Sequence, residues 1–273
     1  MNASNDTSDA ADDALVDALG RRHVPAPEAR IVCLVPSITE LLCTLGLAPR
    51  LVGRTGFCIH PRETVAAIPK VGGTKDVNIE KIRRLAPTHV VVNIDENEKP
   101  TVDALAAFVP HVVVTHPNAP RDNLALARLM GALFGASEAA ARWCAAFEDE
   151  YARLRAMPRA PARTVLYCIW QDPWMAVSQG TYIAAMLAEI GWSVPVLGGE
   201  RYPRFAWSQE LADGLDAVLL STEPYRFTQA HADALEKQLG LPVLLVDGEM
   251  MSWYGSRALD GLRYLRGLRA MLE

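Results

Sequence analysis

Short apolar runs alternate with helical segments twice along the chain, and this alternation constrains the fold more than any single motif does. In the first block, which starts at Arg30, apolar runs typical of buried strands are separated by amphipathic helical segments. Alternation of this kind is typical of a mostly parallel sheet with helices on both faces. The predicted strands of this block are "RIVCLV", "LVGRT", "THVVVNI" and "HVVVTH".

The alternation stops between residues 121 and 157, where the pattern is helical with one pause at "GALFGAS". The second helical part starts at Ser137 and would be roughly 30 Å long at the rise of an α-helix. A second block of alternation follows "PRAPAR". Its predicted strands are "TVLYCIW", "DAVLLS" and "LPVLLVDG", and its last predicted helix is "GSRALDGLRYLRGLRAML".

The two blocks predict an α/β protein with two Rossmann-like lobes, each with a parallel-type sheet, joined by one long rigid backbone helix. Each block also contains a short helix, a tight turn and a buried strand, with a glutamate (Glu80 or Glu210) in the first turn of the helix. One continuous sheet with a helical insertion is the alternative. The predicted boundaries are a flexible N-terminal tail over 1–28, an N-terminal lobe over 29–120, a linking helical region over 121–160 and a C-terminal lobe over 161–273.

Two helix starts carry capping signals. Ser37 with Glu40 three residues later matches a capping box, and Asn78 precedes the helical pattern "IEKIRRLAP". We therefore expect helices to begin at these two polar residues.

Charge and composition exclude several classes of partner. The formal net charge is -5 and no basic stripe is present, which argues against nucleic acid and against an anionic membrane surface. No run of about 18 apolar residues predicts a membrane span. The first twenty residues are polar and acidic without the pattern of a signal peptide, so we expect a cytoplasmic protein as written, or a periplasmic one if the true start or an export signal is missing. The five cysteines lack C-x-x-C spacing, which favours free thiols.

The motifs of several common enzyme classes are absent from the sequence. No G-x-G-x-x-G, G-x-S-x-G or H-E-x-x-H occurs, and "VGGTK" lacks the first glycine of a phosphate-binding loop. The sequence therefore predicts a protein that is not an enzyme of these classes.

Aromatic and polar residues gather after the predicted strands, where ligands bind in open α/β sheets. Aromatic side chains there would form flat walls, and acidic residues such as Asp95 would anchor polar groups of a ligand. Trp170 and Trp174 could instead fill the core, and "DENE" at 95–98 could be a solvated turn. The predicted ligand-binding residues are Phe57, Cys58, His60, Lys75, Glu96, Trp170, Trp174, Asp247, Glu249, Trp253, Tyr254 and Arg257.

Cys58 and His60 are two residues apart in what the pattern indicates is a short strand, so both would point to one face. Thiolate and imidazole are metal ligands, but a closed zinc site needs four ligands and a second pair is missing. Ordinary packing is the alternative, because free cysteine is usually a small buried hydrophobe. Packing or hydrogen bonding of both side chains is the interpretation that the residues favour, and His60 is the candidate for contact with a metal.

Several motifs occur together along nearly all of residues 29–273. They are "RIVCLVPSITELLCTLGL", "LVGRTGFCIHP", "IPKVGGTKDVNIEKIRRLAPTHVVVN", the long helix and "LPVLLVDGEMMSWYGSR". In this combination the chain resembles the class III substrate-binding proteins of ABC transporters, in the subgroup of helical-backbone metal receptors for cobalamin and iron-siderophores. The resemblance implies two lobes, a ligand between them, no covalent cofactor, and a surface glutamate on each lobe, here Glu80 and Glu210, that docks on the permease.

Three functional hypotheses follow. The leading one is a monomeric, non-catalytic protein that holds a cobalamin-type corrinoid or an iron-siderophore chelate in a cleft between the lobes for ABC-type transport, with His60 as an axial ligand of the metal complex. The second is a cytosolic metal- or corrinoid-dependent enzyme that uses Cys58 or His60. The third is an adaptor whose Glu80 and Glu210 faces bind a protein partner.

Overall fold

A computed structural model describes residues 15–158 and 161–272 of the chain, which form two compact units. The units are discontinuous in sequence, whereas the predicted domains are continuous ranges. Among the described residues, unit 1 comprises the chain up to Pro117, Arg121–Phe147 and Tyr254–Ser256, and unit 2 comprises Asn118–Pro120, Glu148–Trp253 and the chain from Arg257.

The sheet of unit 1 is parallel, with the strand order β2-β1-β3-β4 in the described part of the chain. Three consecutive valines in each of the last two strands pair in register, Val90 with Val112 and onwards. Both faces of these strands are buried, which explains their continuous apolar sequence. The strands are β1 (Ile31–Cys33), β2 (Leu51–Arg54), β3 (His89–Asn93) and β4 (His111–Thr115).

Helices cover this sheet, and one of them begins differently from the prediction. The Asn78 side chain accepts a hydrogen bond from the Lys81 N–H, so that predicted cap is confirmed. The predicted capping box at Ser37 is wrong: the helix starts at Pro36, whose fixed φ suits the first helical position. The helices are α1 (Pro36–Thr44), α2 (Arg62–Ala66), α3 (Ile79–Leu85), α4 (Lys99–Ala106) and α5 (Asp122–Phe134).

Residues 15–28 lie on unit 1, where the sequence predicted a flexible tail. The Ala18 N–H donates to the Val114 carbonyl at 2.9 Å, and the Ala26 N–H donates to the Leu133 carbonyl at 2.6 Å. The prediction is wrong for this stretch because its backbone hydrogen bonds are satisfied by the edge strand β4 and by α5, a pairing without a periodic sequence signal. The remainder of the predicted tail, residues 1–14, falls outside the described residues.

Helix α6 (Ser137–Arg155) is the predicted long helix, and the boundary between the units falls within it, after Phe147. In unit 2, β5 pairs with β8 and β8 with β9 in parallel, while the short β6 is antiparallel to β5. The short β7 pairs with the start of β5. The strands are β5 (Arg163–Trp170), β6 (Met175–Ala176), β7 (Trp192–Ser193), β8 (Ala217–Ser221) and β9 (Val243–Val246).

The last predicted helix begins later than expected, because Gly255–Arg257 forms a 3₁₀ turn before it. The described part of the chain contains no helix with the length and apolar character needed to cross a membrane. The helices of unit 2 are α7 (Tyr182–Ala188), α8 (Gln209–Asp213), α9 (Gln229–Leu239), α10 (Gly248–Ser252) and α11 (Ala258–Ala270).

The predicted fold class is confirmed, since each unit has its own mainly parallel sheet and apolar core. The alternative of one continuous sheet is wrong: β1–β4 and β5–β9 form separate sheets.

Candidate functional site

Loops that follow β8 and β9 bring a group of polar side chains together in unit 2. Oε1 of Glu223 accepts two hydrogen bonds, from the Ser252 hydroxyl at 2.9 Å and from the Trp253 indole N–H at 2.7 Å. Asp247 caps α10 by accepting from the Met250 N–H at 3.2 Å. The carboxyl ends of neighbouring parallel strands meet at one edge of a sheet, and for this reason the two loops are adjacent.

The indole ring of Trp253 is also held by a cation. The guanidinium carbon of Arg257 lies 5.1 Å from the ring centroid, within the range of a cation–π interaction. Arg257 also pairs with Glu249 at 2.7 Å. The structure thus brings together the predicted residues Trp253, Arg257 and Glu249 on unit 2.

Sequence reasoning missed Glu223, which lies at the centre of this group. Its signal was available, because "STEPYRF" places a carboxylate directly after the buried strand β8. Burial raises the pKa of Glu223, and the nearby Glu249 and Asp247 carboxylates raise it further, while the donors Ser252 and Trp253 oppose the shift.

The other two predicted tryptophans differ in their surroundings. Trp170 is 40 % exposed at the end of β5 and meets Tyr225 edge-on. Trp174 lies in an aromatic cluster, stacked on Phe227 with ring centroids 5.8 Å apart and close to Phe205 and Trp207. Trp174 therefore has the contacts of a packing residue, and Trp170 offers an exposed ring face.

A cavity of about 670 Å³ lies in unit 2 beside β6. Its volume falls within the range of ligand pockets, roughly 300–1,000 Å³. The two adjacent glycines 198 and 199, a tyrosine and an arginine contribute to its wall, and none of the predicted site residues does. It is lined by Met175, Leu197, Gly198, Gly199, Glu200, Tyr202, Pro203 and Arg204.

The strand ends of unit 1 carry a second polar group. The hydroxyl of buried Tyr254 donates to Glu96, and burial together with that carboxylate raises the pKa of Tyr254. Asp95 lies 3.4 Å from His116. The structure thus brings Glu96 and Tyr254 together, two predicted residues that are far apart in sequence.

Residues 55–61 are a turn, and the predicted short strand at Cys58 and His60 is wrong. The Cys58 thiol is fully buried, where the Thr39 hydroxyl donates to it at 3.1 Å and Thr55 lies 3.2 Å from it. Burial raises the pKa of Cys58, so the thiol is held in its neutral form. A nucleophile or a metal ligand needs the thiolate, and this environment weighs against either role.

Next to this thiol the loop turns outward. Phe57 is 62 % exposed and His60 is half-buried, while Lys75 is exposed. Among the described residues, no group of three histidine, cysteine or acidic side chains is arranged to hold a metal ion. The role of His60 therefore stays a prediction: it would contact a metal ion that is already held by a chelator, such as the ring of a corrinoid.

The two glutamates predicted to dock on a permease lie at the surface. Glu80 is in the first turn of α3 with its side chain 69 % exposed, 3.4 Å from Arg83. Glu210 is exposed in the first turn of α8. Both positions are accessible to a protein partner.

The sequence profile of a family described as periplasmic binding protein matches residues 31–209. A search of curated proteins finds no match. Solved structures of similar fold include three periplasmic proteins. The heme-binding protein RhuT of Roseiflexus sp. RS-1 is 22% identical, with 90% of this chain and 98% of that chain covered and a TM-score of 0.73. The vitamin B12 binding protein BtuF of Vibrio cholerae is 18% identical, with 91% of this chain and 99% of that chain covered and a TM-score of 0.72. The heme-binding protein HutB of Vibrio cholerae is 18% identical, with 90% of this chain and 99% of that chain covered and a TM-score of 0.71.

Proposed function

Since this chain belongs to the periplasmic binding protein family, we propose that it is a non-catalytic protein that binds a metal-containing ligand, either a corrinoid or an iron chelate such as haem or an iron-siderophore. Proteins of similar fold that bind haem or vitamin B12 support the ligand class. The predicted ligand-binding residues remain candidates for contacts with this ligand.

One observation carries the proposal. Trp253 is fixed at both its edge and its face, by the carboxylate of Glu223 and by the guanidinium of Arg257. Fixing an aromatic ring before binding lowers the entropy cost of stacking a flat ligand on it.

Titration of the purified, reduced protein with hydroxocobalamin, haemin and a ferric siderophore tests this function. We expect saturable quenching of tryptophan fluorescence by at least one of them, and loss of most of that affinity in Trp253→Ala. A matched control is Trp143→Phe, because Trp143 is buried against Phe147. Absence of quenching by all three ligands at high micromolar concentration would contradict the proposal.

His60 is proposed as an axial ligand of the bound metal. Neutral imidazole coordinates cobalt and iron well. A shift of the metal-sensitive absorption bands on binding should then disappear in His60→Ala. An unchanged shift in this variant would remove His60 from the proposed ligand set.

Docking on an ABC permease through Glu80 and Glu210 is proposed as well. Charge reversal, Glu80→Lys with Glu210→Lys, should abolish ligand uptake by cells or stimulation of the transporter ATPase, while ligand binding stays unchanged. Cell fractionation belongs to the same test, because a permease receives its ligand outside the cytoplasm. Full uptake by the doubly reversed variant would exclude the docking role.

A further inference from the structure

The two carboxylate oxygens of Glu223 differ in their hydrogen bonding. Oε1 accepts hydrogen bonds from both Ser252 and Trp253. Among the residues that the structure describes, none donates a hydrogen bond to Oε2 or forms an ion pair with it. The residue is partly accessible to solvent, so a ligand can approach this side chain.

The orientation of this side chain is fixed by packing as well as by hydrogen bonds. A Cβ atom at Gly248 would lie 2.5 Å from Cγ of Glu223 and 2.5 Å from Oγ of Ser221. Glycine at 248 therefore leaves the space that the Glu223 side chain occupies. A side chain held in this way presents Oε2 in one direction at little entropy cost.

The charges around Glu223 are mainly negative. Asp247 and Glu249 are close enough to act on it electrostatically, and the guanidinium of Arg257 is paired with Glu249. A ligand carboxylate at Oε2 would meet like charge, whereas an N–H or O–H group would satisfy an acceptor.

From this geometry we infer that Oε2 of Glu223 accepts a hydrogen bond from an amide, hydroxyl or ammonium group on the rim of the ligand, and so selects a carboxamide-bearing macrocycle over a carboxylate-bearing one. The inference rests on the proposed function. It makes Glu223 a specificity-determining residue beside the ring of Trp253. A corrinoid with peripheral carboxamides fits this requirement, and haem, with two propionates, does not.

Two corrinoids with the same ring and axial groups test the inference: dicyanocobinamide, which carries carboxamides, and dicyanocobyrinic acid, which carries carboxylates. The wild-type protein should bind the first at least about tenfold more tightly, the scale of one charge-assisted hydrogen bond. Glu223→Gln keeps an acceptor for Ser252 and Trp253 but turns an N–H donor toward the ligand. It should reduce that ratio by about tenfold.

Glu138→Gln is the matched control, because it removes the same charge from a side chain that is 97% exposed, and its ratio should equal that of the wild type. If thermal unfolding shows that Glu223→Gln is poorly folded, Glu223→Asp makes the same test, since it withdraws the oxygen and should weaken binding of dicyanocobinamide alone.

The outcomes separate the two proposals. If both corrinoids bind and Glu223→Gln leaves their ratio unchanged, the inference is overturned and the binding function stands. If the wild-type protein binds haemin or a siderophore but neither corrinoid, the inference is overturned in the same way. Failure to bind any of these ligands overturns both.

Discussion

The carboxylate of Asp17 is buried and receives four hydrogen bonds. Asp17 is only 6% exposed to solvent. Oδ1 accepts from the N–H groups of Leu19 and Arg21 at 2.9 and 3.0 Å, and Oδ2 accepts from the Val114 N–H and lies the same distance, 3.2 Å, from His23 Nε2. A single side chain thus folds the N-terminal turn and attaches it to β4.

We expect Asp17→Ala to lower the free energy of unfolding by about 3 kcal/mol, because several buried donors lose their acceptor at once. Urea denaturation measures this change. Asp103→Ala is the matched control, since Asp103 pairs with Lys99 on the exposed surface, and it should cost less than about 1 kcal/mol. Equal effects of the two substitutions would contradict this view of Asp17.

His89 makes unit 1 sensitive to acid. Burial, followed by the neighbouring His111 and His23, lowers the pKa of His89 to about 4. Because this pKa lies below its unfolded value of 6.5, the unfolded chain binds more protons between these two values, and stability is lost as the pH falls from about 6.5 towards 4.

The wild-type protein should lose up to about 2 kcal/mol of its free energy of unfolding between pH 7 and pH 4.5 through His89, and His89→Gln should remove this loss. Chemical denaturation at both pH values measures it. The residue stacks on His111, with ring centroids 4.6 Å apart, and meets Phe134 edge-on, so some loss of stability at pH 7 accompanies the substitution. The prediction therefore concerns the difference between the pH values, and an unchanged difference would contradict it.

Single residues also show where sequence reasoning succeeds. The Asn78 cap is a local signal, three residues from the N–H it binds, and was predicted. Glu223 and Asp17 also receive hydrogen bonds from donors in distant parts of the chain. Glu223 is 30 residues from Trp253 and Asp17 is 97 residues from Val114, so no local pattern indicates these partners, although the position of Glu223 after β8 marks it as a candidate.

At the scale of elements, α11 contains two glycines with opposite surroundings. A Cβ atom at Gly261 would lie 2.5 Å from the Met250 carbonyl oxygen and 3.0 Å from Cε of Met186. At Gly267, no atom lies within 4 Å of the same position. The first glycine permits close packing of α11 on α10, and the second only weakens the helix.

Gly261→Ala should therefore destabilise the protein by about 1–3 kcal/mol through steric strain. Gly267→Ala should stabilise it by up to about 1 kcal/mol, because alanine is the better helix former. Thermal unfolding of the pair measures both, and each variant is the control for the other. Effects of the same sign would contradict the packing argument.

Elements with repeated apolar residues could be predicted from sequence, and irregular ones could not. The valine runs of β3 and β4 indicate buried strands because both faces of the sheet are covered. Residues 15–28 and 55–61 have no such repeat, and their conformation follows from hydrogen bonds and burial that only the folded chain provides.

At the scale of the whole molecule, the five free cysteines are distributed over both units. Cys33, Cys58 and Cys144 are buried in unit 1 and Cys168 is buried in unit 2, while Cys43 is half-buried. Burial raises the pKa of Cys43 to about 11. The thiols therefore differ mainly in their access to solvent.

A thiol reagent added to the native protein should modify Cys43 first. The rate of this reaction should increase as the pH rises toward the pKa of Cys43. The other four should react only when the chain unfolds, and mass spectrometry of the digested protein assigns each site. Reaction of Cys58 ahead of Cys43 in the native state would contradict the burial described here and would favour a reactive role for Cys58.

The tripeptide Tyr254–Ser256 belongs to unit 1, although its neighbours on both sides belong to unit 2. Within unit 1, its Tyr254 hydroxyl reaches Glu96 and its Gly255 N–H reaches Asn123 at 2.5 Å. A gene fragment that stopped after Phe147 would omit three residues whose hydrogen bonds help to complete unit 1. Dissection of this protein into autonomous halves should therefore require either a circular permutation or a short complementing peptide.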